Sequence, residues 1–142
     1  MTAHRTRQRM THRIVTSAKL PEPVGYAHAV VARPGRTVWL GGQTAQSRDG
    51  SICATTLVEQ FDVAAANVVE ALRAATSEPS QLVSMQIAVT DAAAYRRALP
   101  DLGIVWRRHF GNHYPAITLL EVSALFDPLA QVELTAVAVL PD

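Results

Sequence analysis

The sequence of 142 residues has a single cysteine, Cys53, and almost no excess of charge of either sign. One cysteine excludes an intramolecular disulfide and a cysteine-rich metal site, so we expect a reducing, cytoplasmic setting. A formal net charge of +1 gives no reason to expect nucleic-acid or membrane partners. No apolar run is long enough to span a bilayer. With 49% apolar and 18% charged residues, the composition is that of an ordinary globular domain.

The N-terminal segment is basic and lacks an apolar pattern, with arginines at positions 5, 7 and 9. We predict that residues 1–12 form a flexible basic tail and that residues 13–142 form one domain. The five histidines show no helical pair with metal-ligand spacing. The sequence also contains no phosphate-binding glycine loop, dinucleotide fingerprint or nucleophile elbow. We therefore expect no metal and no other cofactor.

Two stretches have the apolar spacing of amphipathic helices. Between Thr56 and Ala75, apolar residues recur every three or four positions, and a threonine at the start is a suitable N-cap. Asp91 is the candidate N-cap of a second helical region over residues 92–110. Because Pro100 and Gly103 interrupt this region, we expect it to form two pieces.

Shorter runs rich in β-branched residues predict strands around these helices. The runs span residues 13–17, 26–33, 37–45, 82–90, 114–122 and 132–140. The second and third runs are predicted to form a hairpin through the turn Pro34-Gly35-Arg36. This order predicts an α+β fold, with a mixed sheet of about six strands and the helices on one face. The other face is left uncovered although its strands carry apolar residues, so we predict a closed homo-oligomer.

Glu133 is a carboxylate inside the otherwise apolar run 132–140. Such a group must find a partner or change its pKa. It either faces a ligand or is satisfied by backbone amides or by a cation of a neighbouring chain. A pair of glycines, Gly41 and Gly42, lies late in a predicted strand. Glycines in that position are typical of a bulge or of close approach by a ligand or another backbone.

Six short motifs occur in the order in which the Rid family (reactive-intermediate deaminases, also called YjgF-like proteins) has similar ones. They are Gly25-Tyr26-Ala27-His28-Ala29, Trp39-Leu40-Gly41-Gly42-Gln43, Glu59-Gln60 with Asn67-Val68, Ile87-Ala88-Val89-Thr90-Asp91, Pro115-Ala116 and Val132-Glu133-Leu134. The resemblance runs from about Val24 to Leu140. It implies a chorismate-mutase-like subunit in a homotrimer, with a small-molecule ligand in clefts between subunits.

The resemblance also implies roles for individual residues. Glu133 and Tyr26 become the candidate catalytic residues, with the Glu133 carboxylate holding or activating a water. Gly41, Gly42 and Gln43 become candidate ligand contacts through their main-chain groups. Each has an alternative interpretation: Tyr26 as a half-buried aromatic, the glycines as a packing bulge, and Gln43 as a hydrogen-bonding residue at the sheet edge.

The sequence departs from the family at the position of a substrate-binding arginine. In the best-known members, which hydrolyse 2-imino acids, an arginine after Pro-Ala clamps the substrate carboxylate. Here that position is Ile117, and Leu119 replaces a frequent cysteine. These two residues either line an apolar pocket or belong to an interface core. An unpaired substrate carboxylate in a closed site would cost on the order of several kcal/mol.

We therefore expect an arginine-lacking member that processes a small imine or enamine without a carboxylate, as a hydrolase or a biosynthetic tailoring enzyme. Efficient deamination of 2-imino acids is not expected. The alternative is a non-catalytic module that binds a small molecule or another protein. Ribonuclease activity, sometimes attached to this family, has little support because the sequence shows no basic and aromatic patch.

Overall fold

The structure is a computed structural model that describes residues 11–142. Its elements, in chain order, are β1 (Arg13–Val15), β2 (Ala29–Val31), β3 (Gly35–Trp39), α1 (Leu57–Ala74), β4 (Leu82–Val89), α2 (Ala92–Arg97), α3 (Leu99–Phe110), β5 (Ala116–Glu121) and β6 (Val132–Pro141). A short 3₁₀ turn at Pro79–Gln81 leads into β4. The α+β class predicted from the sequence is confirmed.

The main sheet has four strands in the order β3-β6-β4-β5. β4 and β5 are parallel, and the other neighbours are antiparallel. The parallel pair is joined through α2 and α3, since parallel neighbours need a long crossover connection. β1 and β2 form a separate two-stranded antiparallel sheet. The sheet is mixed, as predicted, but the six strands are divided between two sheets.

The predicted hairpin between residues 26–33 and 37–45 is wrong. β2 pairs with β1, and β3 pairs with β6 so that Val38 lies opposite Ala138. Gly35 begins β3 at a very close approach to the end of β6, because a Cβ there would lie 2.3 Å from the Leu140 carbonyl oxygen. Glycine at this position permits the long-range pairing of β3 with the last strand.

The helices lie on one face of the main sheet, as predicted. Thr56 caps α1, its Oγ1 accepting the Glu59 N–H at 3.2 Å. The apolar stripe of this helix is buried, and α3 packs against it. The buried residues of this core include Phe61, Val68, Leu72, Leu82, Met85, Ile87, Leu102, Val105, Trp106, Phe110 and Leu134.

The second helical region forms two pieces, as predicted, with the break at Ala98 just before Pro100, whereas Gly103 lies inside α3 and does not interrupt it. The Asp91 carboxylate caps α2 by accepting the Ala94 N–H at 3.0 Å. α2 ends at Arg97, and α3 begins two residues later with Pro100 in its first turn. Proline is tolerated there because the first N–H groups of a helix have no acceptor within it.

The face of the main sheet turned away from the helices is called the open face. Strand register assigns to it Thr37, Trp39, Ser84, Gln86, Ala88, Ala116, Thr118, Leu120, Glu133, Thr135 and Val137. Trp39 is 78% exposed there. The open face is less apolar than expected from the sequence, since it carries hydroxyl and amide side chains beside Trp39, Leu120 and Val137. The predicted oligomer stays a prediction.

The boundary of the predicted N-terminal tail needs a correction, because Thr11 and His12 are buried. His12 Nδ1 accepts the Arg33 N–H at 3.0 Å, and its Nε2 donates to the Val139 carbonyl at 2.9 Å. These backbone contacts join residues that are far apart in sequence, so no local pattern indicated them. The rest of the predicted tail, residues 1–10, lies outside the described residues. Over residues 11–142, no helix combines the length and the apolar character that crossing a bilayer requires.

Candidate functional site

A bulge after β3 brings Gly41 and Gly42 to the edge of β6. Leu40 N–H donates to the Ala136 carbonyl at 3.1 Å, and Gln43 exchanges two hydrogen bonds of 2.8 Å with Leu134. Two glycines therefore stand opposite one residue of β6. The bulge predicted from the paired glycines is confirmed.

The Glu133 carboxylate lies in the space beside Gly42. A Cβ on Gly42 would lie 1.8 Å from Glu133 Oε1 and 2.8 Å from its Cδ. A Cβ on Gly41 would meet no atom within 4 Å. Only the second glycine therefore makes room for the carboxylate, which gives the two glycines different roles.

Glu133 is half-buried and unpaired. Within residues 11–142 its carboxylate has neither a hydrogen bond nor an ion pair. Its neighbours across the open face are Gly42 on one side, and Ala88 and then Leu120 on the other. None of these side chains can donate a hydrogen bond, so the carboxylate is available to accept one from outside this chain. Its satisfaction by backbone amides of the described chain is thereby excluded.

Gln43 holds the bulge together. Its side-chain Nε2 donates to the Gly41 carbonyl at 3.2 Å, while its backbone pairs with Leu134. This contact agrees with the interpretation of Gln43 as a hydrogen-bonding residue at the sheet edge. Its main-chain groups are already used in the pairing with β6.

Tyr26 lies beside the start of β5. The N–H of the neighbouring Ala27 donates to the Pro115 carbonyl at 3.0 Å, and Ala27 forms a parallel bridge with Ala116. The Tyr26 ring contacts the His28 ring edge-on, with centroids 5.2 Å apart. Tyr26 is therefore held at the β5 side of the sheet.

Ile117 and Leu119 share one face of β5, as their spacing predicted. Ile117 is in register with Met85, and Leu119 with Ile87. Because both partners belong to the buried core, the two β5 residues lie on the helix side, opposite the open face that carries Glu133. Ile117 packs on the core, whereas Leu119 is 38% exposed at the sheet edge.

The predicted site residues thus form two groups within one chain. Gly41, Gly42 and Gln43 are together with Glu133, and Tyr26 is at the β5 side with Ile117 and Leu119. Glu133 is on the open face, whereas Ile117 and Leu119 are on the helix side of the sheet. A broad groove of about 1170 Å³ lies elsewhere, at the far end of β6, and none of the predicted residues line it.

Two further polar residues contact segments that form this site. In the sequence they were noted only as parts of a family motif. They are Gln60 and Asn67, which lie on α1 and bond to the backbone of distant loops. The only signal in the sequence is a pair of amide side chains seven residues apart beside an apolar helix stripe. Their partners cannot be deduced from that spacing.

Comparison with known proteins agrees with this fold. Residues 16–140 match the Endoribonuclease L-PSP family, so the chain belongs to that family, and the predicted Rid membership is confirmed. A curated relative from Capra hircus, named 2-iminobutanoate/2-iminopropanoate deaminase, is 29% identical over 132 residues, which are 92% of this chain and 91% of the relative.

Two solved structures make the same point. YyfB from Yersinia pestis, described as a conserved Rid-family protein of unknown function, superposes with a TM-score of 0.83 at 27% identity. The match covers 92% of this chain and all of that one. Rv2704 from Mycobacterium tuberculosis, described as a member of the YjgF/YER057c/UK114 family, has a TM-score of 0.61 at 32% identity. That match covers 82% of this chain and 88% of the other.

Proposed function

We propose that this protein hydrolyses a small imine or enamine without a carboxylate, in clefts between the subunits of a homotrimer. The observation that carries the proposal is the half-buried carboxylate of Glu133, which lies against Gly42 and has no partner within residues 11–142. The class of reaction is supported by the similarity to a protein named as an imine deaminase.

The chemistry requires little more than an oriented base. With the imine nitrogen protonated, the Glu133 carboxylate takes a proton from water while the water oxygen bonds to the imine carbon and the C=N π pair moves to nitrogen. Glu133 then returns its proton to the nitrogen of the carbinolamine, the C–N bond breaks with loss of ammonia or an amine, and the hydroxyl proton passes to solvent, which leaves a carbonyl compound. An enamine reaches the same protonated imine by taking up a proton at carbon. A positioned base of this kind contributes about 10²- to 10⁴-fold in rate.

The absence of a carboxylate in the substrate follows from Ile117. An isoleucyl side chain cannot replace the paired hydrogen bonds that a guanidinium makes to a carboxylate. Glu133 itself repels an anionic group that approaches it. We therefore place the chain in an arginine-lacking subgroup, with Ile117 and Leu119 contacting the hydrocarbon part of the substrate.

The separation of the two groups of site residues supports an assembly with clefts between subunits, and the family resemblance favours a homotrimer. Glu133 and Ile117 face opposite sides of the sheet, so a cleft that contains both residues needs two copies of the chain. The exposed Trp39 on the open face is a suitable anchor for such an interface. Light scattering should give three times the chain mass, and a monomer with full hydrolase activity would contradict the cleft.

The test uses imines generated in situ by an oxidase and trapped with semicarbazide. An apolar primary amine supplies the carboxylate-free imine, and an amino acid supplies the 2-imino acid. We expect the protein to remove the first imine much faster than the second. Glu133→Gln should lower the rate at least about 100-fold. Glu59→Gln, an exposed carboxylate at the start of α1, is the matched control and should leave it unchanged.

The Ile117→Arg variant tests whether position 117 is where an arginine would bind the substrate carboxylate. It should gain activity toward the 2-imino acid, whereas Ile104→Arg, at a 52% exposed position of α3, should not. Rapid removal of the 2-imino acid by the unchanged protein would refute the role given to Ile117. If neither imine is hydrolysed by any variant, the non-catalytic binding module becomes the better explanation.

A further inference from the structure

We propose that Gln60 and Asn67 are positioning residues, through which α1 holds the Gly42 bulge and Glu133 in contact. This inference rests on the proposed function of Glu133. The two amide side chains lie seven residues apart, or about 10 Å along the helix axis. Two backbone segments form the Gly42–Glu133 contact. Gln60 binds the segment before Glu133, and Asn67 binds the segment after Gly42.

Gln60 holds the segment that leads into Glu133. The residue is 1% exposed, and all of its side-chain bonds go to backbone groups. Nε2 donates to the Ala54 carbonyl at 3.1 Å and to the Leu129 carbonyl at 2.9 Å. Oε1 accepts the Gln131 N–H at 2.8 Å. The last of these bonds is only two residues before Glu133.

Asn67 holds the segment that follows Gly42. Its Nδ2 donates to the Thr44 carbonyl at 3.0 Å and to the Gln46 carbonyl at 2.9 Å. The first bond is two residues after Gly42. One rigid helix therefore grips the backbone just after the bulge and just before the carboxylate.

These contacts matter because, within residues 11–142, no hydrogen bond holds the carboxylate itself in place. Its position beside Gly42 therefore depends on backbone placement. A shift of either segment along the sheet edge would move the carboxylate relative to the bulge. A misplacement of about 1 Å can cost roughly 100-fold in rate.

Both residues also contribute to stability, so the test must separate the two roles. Asn67→Asp keeps the shape of the side chain but replaces the donating amide by a carboxylate that faces two carbonyls. Because Asn67 is only half-buried, we expect this variant to fold. Gln60→Glu keeps the acceptor for Gln131 and loses both donations. Asn112→Asp, at an exposed position after α3, is the control for the added charge.

The kinetic readout is the split between kcat and KM for the carboxylate-free imine, measured well below the unfolding temperature. We expect kcat to fall about 10- to 100-fold in Asn67→Asp and Gln60→Glu, with KM changed less than about threefold. Asn112→Asp should match the unchanged protein. kcat is calculated per folded molecule, with the folded fraction measured by circular dichroism, so a merely structural role would leave it unchanged.

The second readout needs no substrate. Because Glu133 Oε1 lies against Gly42, the backbone NMR resonances of Gly42 report on the position of the carboxylate. They should move in Asn67→Asp and Gln60→Glu and stay in place in Asn112→Asp. Folded Asn67→Asp and Gln60→Glu with unchanged kcat and unchanged Gly42 resonances would overturn the inference. If no imine is hydrolysed at all, the proposed function fails, while the Gly42 resonances still decide the positioning role.

Discussion

Replacing Gly42 with alanine places a methyl group where the Glu133 carboxylate lies. The new Cβ would be 1.8 Å from Oε1, and real Cβ contacts are not closer than 3.0 Å, so the oxygen must move by about 1.2 Å. The carboxylate is the end of a flexible side chain and can rotate away. The positive-φ glycines of residues 11–142 are Gly25, Gly50 and Gly111, so alanine at position 42 is also free of backbone strain.

The expected effect is therefore on activity and not on folding. A displacement of about 1 Å at a reacting group costs roughly 100-fold, so kcat/KM of Gly42→Ala should fall about 100-fold. Its unfolding temperature should stay within a few degrees of the original. Gly41→Ala is the matched control, because its methyl group meets no atom within 4 Å, and it should keep kcat/KM within about threefold.

A double substitution shows whether the loss passes through the carboxylate. In the Glu133→Gln background, Gly42→Ala should have little further effect, since the group that it displaces no longer acts as a base. The assay is removal of the carboxylate-free imine followed by semicarbazide trapping. If Gly42→Ala is as active as Gly41→Ala, the position of the Glu133 carboxylate beside Gly42 does not matter for catalysis. That result would refute the proposed role of this contact.

Three further predictions concern stability and titration. Burial raises the pKa of Tyr95 to about 12, so the folded state should lose stability as pH rises from about 10 toward 12. Tyr95→Phe should reduce the drop in unfolding free energy between pH 9 and pH 11 by about 1.4 kcal/mol in denaturant titrations, and an equal drop would contradict this. Serine hydroxyls, that of Ser47 foremost, lower the pKa of Asp49 to about 2. This contribution is complete above about pH 4 and is lost as pH falls through 2. Ser47→Ala should raise the Asp49 pKa in an NMR titration, and an unchanged value would refute the cause. Leu72→Ala in the core should cost about 2–5 kcal/mol in urea unfolding, against less than about 0.5 kcal/mol for Leu99→Ala on the surface.

Local features of the fold were predictable because the residues that cause them are close in sequence. The apolar spacing between Thr56 and Ala75 predicted α1 nearly to its ends, and Asp91 was identified as a cap. Pro100 predicted the break that separates α2 from α3. Such signals act within one or two helical turns and need no knowledge of the rest of the chain.

Strand pairing was not predictable in the same way. The turn signal Pro34-Gly35-Arg36 favoured a local hairpin, but β3 pairs with residues about a hundred positions away. The close fit of Gly35 against the Leu140 carbonyl permits this pairing, and that contact exists only in the folded chain. His12 was misplaced in the tail for the same reason, since its two backbone partners are distant in sequence.

The sequence by itself determined the chemical character of this protein: the family motifs, the carboxylate at position 133, the paired glycines and the isoleucine at position 117. Only the tertiary structure decided which of them meet. A register change of one residue would move every side chain of a strand to the other face, so the sides taken by Glu133 and Ile117 depend on long-range pairing. That pairing seats Glu133 against Gly42 and puts Ile117 on the opposite face, because backbone hydrogen bonds between distant strands determine side-chain direction.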